Sequence, residues 1–174
     1  MTSSVDDVVP LHQNFRDRKL KRPGPWESKS GAQLSVVFAF SQSDLERKFF
    51  RYSDKELEKL PKEFEIRGAR LYCVAGIPKG SIGGTEFHRI REEMVFGFAG
   101  AVRWMCEDLS GAKREFVITK DIGIWMPPYV LHTYESLEDN SGLLVFANTL
   151  FDPDDPKTSD SYSAEEFLAL QASR

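Results

Sequence analysis

At 174 residues the chain has room for one ordinary domain, alone or with a tail, and it can bury a core without disulfide or metal staples. A formal net charge of −4 and a pI near 5.5 argue against nucleic acid as a partner, which would call for a basic face. No apolar run approaches the roughly 20 residues that span a bilayer, and Met1-Thr2-Ser3-Ser4-Val5-Asp6-Asp7 lacks the basic-then-apolar order of a signal peptide, so a cytoplasmic protein with no membrane partner is expected.

Residues 1–33 read as a polar N-terminal arm. It contains the basic run Arg16-Asp17-Arg18-Lys19-Leu20-Lys21-Arg22, a solvated face by composition, and Trp26, a residue suited to pinning the arm down. From Leu34 the texture changes, and Leu34 to Phe40 reads as an apolar strand. Ser53 to Leu60, opened by a capping residue and stopped by Pro61, predicts one or two helical turns. The surrounding segment 41–63 has no assigned role. Seven short strands come next, over 70–76, 94–99, 102–107, 114–119, 123–127, 130–136 and 143–149. Turn clusters punctuate them: Gly80-Ser-Ile-Gly-Gly84, Asp108-Leu-Ser-Gly111, Pro127-Pro128 and Asp139-Asn-Ser-Gly142. Many short strands with little helix between them predict an all-β sandwich or barrel over 34–152. Residues 153–174 form a C-terminal loop and helix. Ser163-Ala-Glu-Glu166 is a capping box, and Phe167, Leu168 and Leu170 can dock the helix it opens. Cys73 and Cys106 lie in apolar strands and are expected as two buried thiols rather than a disulfide.

The chain has three histidines. His12 lies in the polar arm and is read as incidental. Glu86 and His88 are two apart, so on a strand both point to one face with Phe87 opposite. A carboxylate and an imidazole buried side by side must hydrogen-bond, pair or hold a ligand, and such a pair can serve as a general base. His132 comes after the double proline Pro127-Pro128, a rigid approach that fixes where it projects. Tyr72, Tyr129 and Tyr134 place rings in the core and hydroxyls at the rim. Gly80, Gly83 and Gly84 are turn glycines rather than a phosphate cradle, since no helix comes after them.

The spacing of Gly84, Glu86, His88, Glu93 and Gly100, with the later segment from Pro127 to His132, resembles the two motifs of the cupin superfamily. Arg70-Leu-Tyr-Cys-Val, Gly83-Gly84-Thr-Glu-Phe-His88, Phe98-Ala-Gly-Ala-Val102, Gly123-Ile-Trp-Met-Pro-Pro128 and Leu144-Val-Phe-Ala147 look like the WxcM-like cupins, known for nucleotide-linked 4-keto-6-deoxysugar 3,4-ketoisomerases. The resemblance covers roughly residues 65–155. It implies an all-β cupin jelly-roll β-barrel with a short C-terminal helix, and an isomerase that acts without a cofactor on a small-molecule substrate such as a dTDP-sugar. In that family the first motif usually reads Arg-Gly-Gly-His-x-His, with Gln five residues on. Here those positions hold Gly83 for the arginine, Glu86 for the first histidine and Glu93 for the glutamine. A carboxylate partly removed from water can replace a histidine as base, while the role of the missing arginine falls open to Arg89, Arg91 or Arg103.

Three functions are compatible with these residues. In the leading one His88 with Glu86 shuttles a proton next to a sugar carbonyl, and Tyr72 and His132 line the pocket. In the second, Glu86, His88, Glu93 and His132 occupy the four positions at which metal-binding cupins place ligands, and hold iron, manganese, nickel or zinc. The third is a cupin that binds a sugar or metabolite without catalysis. The apolar strand near Leu34 offers an edge that can pair across a two-fold, which predicts a homodimer.

Overall fold

The computed structural model describes residues 69–173 and, before them, the short pieces 17–19, 26–27, 29–31 and 33–34. Most of the strand expected from Leu34, the helix expected over Ser53–Leu60, and His12 lie outside the described residues.

Two antiparallel five-stranded sheets face each other. The first runs β1 (Asp17–Lys19), β9 (Ile122–Met126), β6 (Glu93–Ala99), β11 (Ser141–Ala147) and β4 (Arg70–Ile77). The second runs β12 (Tyr162–Ser163), β5 (Ile82–Phe87), β10 (Val130–Ser136), β7 (Val102–Asp108) and β8 (Lys113–Ile118). A separate small pair joins β2 (Trp26–Glu27) to β3 (Gln33–Leu34). This is the jelly-roll expected from the sequence. The segment read as an N-terminal arm adds β1 to it, paired with β9 through Asp17 and Ile124.

Side-chain alternation fixes which residues face inward. Along β7, Val102, Trp104 and Cys106 are buried while Arg103, Met105 and Glu107 are partly exposed, the period of two that a half-buried strand imposes. The inward rows of both sheets meet in one core, among them Val95, Trp104, Ile118, Ile124, Met126 and Leu143. Each such side chain, once fully buried, contributes about 1.5–3 kcal/mol by leaving water. The outer face of the first sheet is also apolar, with Met94, Phe96, Trp125, Leu144 and Phe146 packed together. The turn between β7 and β8 is closed by the Asp108 carboxylate, which accepts from the Ser110 and Ala112 amides at 2.8 and 3.0 Å.

Helix α1 (Ala164–Ala172) starts at the predicted capping box: Ser163 accepts from the Glu166 amide and the Glu166 carboxylate accepts from the Ser163 amide. Phe167, fully buried, locks α1 onto Phe87 and Leu109. Besides β1 and β2 in the segment read as an arm, β5 and β12 depart from the sequence reading. Part of the segment read as turn punctuation, Ile82 to Gly84, enters β5 and pairs with β10, with Gly84 at a φ of +77° that glycine tolerates. Strand β12 is too short for any period to announce it. Both cysteines are free thiols, but only Cys106 is buried; Cys73 is exposed, since it falls on the outward row of β4.

Candidate functional site

Glu86, His88 and His132 converge, with ligand-capable atoms all within 4.8 Å of one another. They come from neighbouring strands, since His132 on β10 lies opposite Glu86 on β5. The register slips there, with His132 facing Glu86 but Thr133 facing Gly84, so Thr85 forms a bulge. Thr85 has a φ of +68°, a strained backbone for a β-branched residue. Beyond the bulge Glu86 shares a face with His88, which lies two residues on and just past the strand end.

Each imidazole is oriented by a main-chain carbonyl. His132 Nδ1 lies 3.1 Å from the Val130 oxygen and His88 Nδ1 lies 2.6 Å from the Asp160 oxygen. A carbonyl only accepts, so in both rings Nδ1 carries the hydrogen and Nε2 is left for the interior. The rings lie 5.1 Å apart, and His132 stacks on Trp104 at 5.3 Å and 9°. Trp104 in turn stacks on Tyr134. Burial, reinforced by the nearby His88, lowers the proton affinity of His132, which favours its neutral form.

Of the two adjacent glutamates, alternation sends Glu93 inward and Glu92 outward. Glu92 accepts from Trp125 Nε1 at 3.2 Å, on the far face of the sheet. Glu93 accepts from the Tyr72 hydroxyl at 2.9 Å and lies 3.6 Å from His88 Nε2. Burial would raise the Glu93 carboxyl, but the positive charge gathered around it, from the Arg91 guanidinium and from His88 and His132 whenever they are protonated, outweighs burial and holds it well below the usual carboxylate range. Tyr72 is pushed the other way, by burial and then by the Glu93 charge, and stays a phenol.

Three further residues belong to this group, Arg91 from among the expected candidates and Trp104 and Asp160 from outside them. Arg91, buried, sends Nη1 to within 3.4 Å of both Glu93 and His88 Nε2. Of the arginines open to the vacant motif position, Arg91 is the one at the site: Arg89 lies over the Tyr162 ring at 4.3 Å, and Arg103 pairs with Glu135 at 2.8 Å on the outer face. Trp104 supplies the stacking floor, and Asp160 the oxygen that holds His88. Tyr129 packs into the cluster around Phe87, away from the histidines, and its amide donates to the His88 carbonyl at 2.6 Å. That bond ties the proline segment to the His88 loop. Gly83 is required by Tyr134: a Cβ there would collide with the tyrosine ring. The half-exposed Glu86 and Tyr134 mark the side on which the group meets solvent.

Among the described residues no helix is long and apolar enough to cross a membrane. No curated protein matches the chain. Solved structures do, at low identity. WlaRA, a TDP-fucose-3,4-ketoisomerase from Campylobacter jejuni, is 20% identical, with 91% of this chain and 96% of that chain covered and a TM-score of 0.59. QdtA, a sugar 3,4-ketoisomerase from Thermoanaerobacterium thermosaccharolyticum solved with TDP, is 16% identical, with 92% and 96% covered and a TM-score of 0.60. A mutant of the same enzyme, solved with TDP-4-keto-6-deoxyglucose, matches equally well, at 16% identity, the same coverage and a TM-score of 0.60. These likenesses carry the cupin fold. The family described as "FdtA: WxcM-like, C-terminal" matches residues 54–168, which take in both histidine motifs, the Asp160 loop and the start of α1. With about two-thirds of the chain matched, the protein belongs to the WxcM-like family of cupins.

Proposed function

We propose that the protein is a 3,4-ketoisomerase acting on a TDP-linked 4-keto-6-deoxyhexose, without a cofactor. The observation that carries this reading is the convergence of Glu86, His88 and His132 inside a barrel of this family. The reaction removes the proton from C3, passes through an enediol, and returns a proton to C4. The O3 hydroxyl proton is lost as that carbonyl forms, and O4 gains one as it becomes a hydroxyl. Glu86 and His88 Nε2 are placed to move the carbon-bound proton. Neutral His132 offers Nε2 to the sugar oxygens. Arg91 brings positive charge toward the enediolate in a water-poor interior, where such charge acts most strongly. Tyr72 acts through Glu93, to which its hydroxyl is bound.

The test is to incubate the protein with TDP-4-keto-6-deoxyglucose, the ligand solved with QdtA, and to monitor the sugar protons by NMR in deuterated buffer. The 3-keto sugar should form with deuterium at C4. Glu86→Gln and His88→Gln should each lower kcat by about 100-fold or more. Absence of turnover on TDP-linked 4-keto sugars would sink the reading.

The same geometry supports a second reading. An Nδ1–H held by a main-chain carbonyl is also how metal-ligating histidines are oriented, and Glu86, His88 and His132 would then hold a divalent ion. Glu93, expected as the fourth ligand, is instead engaged by Tyr72 and Arg91. The Arg91 guanidinium beside His88 Nε2 disfavours a cation there. Elemental analysis decides: near-stoichiometric iron, manganese, nickel or zinc, lost in His132→Ala, would favour the metal reading.

A further inference from the structure

Asp160 is fully buried in the C-terminal loop, and its carboxylate is held there by main-chain amides. It accepts from three successive ones: Arg89 at 3.1 Å and Ile90 at 2.9 Å, one on each oxygen, and Arg91 at 2.7 Å on the same oxygen as Ile90. Its own carbonyl accepts from His88 Nδ1 at 2.6 Å. One residue therefore grips four consecutive positions, 88 to 91, where β5 has ended and no ladder holds the chain.

We infer that Asp160 is a positioning residue for the proton-transfer site, setting both the tautomer of His88 and the aim of Arg91. Its carbonyl keeps the hydrogen on Nδ1, so that Nε2 faces Glu93 and the interior. Its carboxylate folds residues 89–91 so that the Arg91 side chain turns inward to His88 and Glu93 while Arg89 turns out over Tyr162. The carboxylate also locks the carbonyl in place, since the two groups belong to one residue. Strand β12 and the buried Phe167 then clamp the loop that carries it, through pairing of Tyr162 with Phe87. The C-terminal segment thereby becomes part of the working site. The inference rests on the ketoisomerase reading for its kinetic consequence but not for its tautomer.

The experiment uses full-length protein with isotope-labelled histidine. Long-range nitrogen–proton correlation at mildly alkaline pH reads the tautomer of each ring, with His88→Gln assigning the signal. The wild-type His88 should be a single Nδ1–H form; an Nε2–H form would overturn the proposal without any kinetic data. In Asp160→Ala, and to a smaller degree in Asp160→Asn, His88 should become a tautomer mixture. In either variant kcat on the TDP-linked sugar should fall about 10- to 100-fold, the size of effect known for groups that orient metal-ligating histidines, because the carbonyl loses the carboxylate that locks it, while KM holds. A merely structural role would lower the unfolding temperature and leave tautomer and kcat alone, and that result in a folded Asp160→Asn would also overturn the proposal. Should the wild type turn over no TDP-linked sugar, the ketoisomerase reading falls, and the tautomer comparison still decides the role of Asp160.

Discussion

His132 stands in the middle of β10, a strand paired on both sides, and its ring lies flat on Trp104 in the core. His88 stands past the end of β5, and the group that holds it comes from a loop 72 residues further along the chain. One imidazole is thus fixed by the barrel and its regular strand geometry. The other is fixed by a tail folded back on the barrel and held by α1. The two supports differ in how they should fail: the barrel cooperatively, the tail locally, as segments with fewer packed contacts do.

The largest effects should come from cutting each support in turn. Trp104→Ala removes the floor under His132 together with its Nε1 bond to Met126 Sδ, and Phe167→Ala removes the pin under the tail. Each should cost about 3–5 kcal/mol in urea unfolding. The difference lies elsewhere: in Phe167→Ala the NMR signals of His88 should shift while those of His132 hold, and in Trp104→Ala the reverse. Equal disturbance of both rings in both variants would mean that the two supports are one.

Acid should act next in size. The proton affinity of His132 is lowered from its ordinary 6.5 by burial and by His88, so as pH falls below about 6.5 the unfolded chain takes up a proton that the folded one refuses. Stability should therefore decline between neutral pH and mildly acid pH. A second decline should begin below 4.5, the ordinary value of the carboxyl, because folded Glu93 stays ionised where unfolded Glu93 does not. Urea midpoints measured across this range should show the upper decline flattened in His132→Gln and the lower one retained. A stability profile level from pH 7 to 5 in the wild type would contradict it. The smallest effect is expected at Thr85, whose left-handed backbone suits glycine. Thr85→Gly should stabilise by no more than about 1 kcal/mol, since relief of strain is partly offset by the freer unfolded chain.

The same contrast between barrel and tail governs how much could be read in the sequence. Seven strands were legible because apolar alternation ran between Gly, Pro and Asn punctuation, and Val130–Ser136 matches to the residue. Glu86 and His88 were legible by spacing, since a strand period places alternate residues together, His132 by the double proline before it, and Glu93 only through the likeness to the cupin motifs. Strand β5 was not, because Gly83 and Gly84 read as a turn and the Thr85 bulge breaks the period. Asp160 was invisible for a different reason: it sits in a polar loop whose composition resembles solvent-exposed chain, and only the tertiary fold turns it inward. Arg91 was one of three candidates that composition alone could not separate, because the choice depends on which way a loop without strand pairing presents its side chains.

Gly83 stands where the family motif usually carries arginine, and the ring of Tyr134 occupies the space beside it. Placing arginine at 83 alone would drive a side chain into that ring and unseat its stack on Trp104, hence the bed of His132. Growth at position 83 is easiest once position 134 has shrunk or turned aside. The two sites are therefore coupled, and any attempt to graft the usual motif onto this barrel has to treat positions 83 and 134 together.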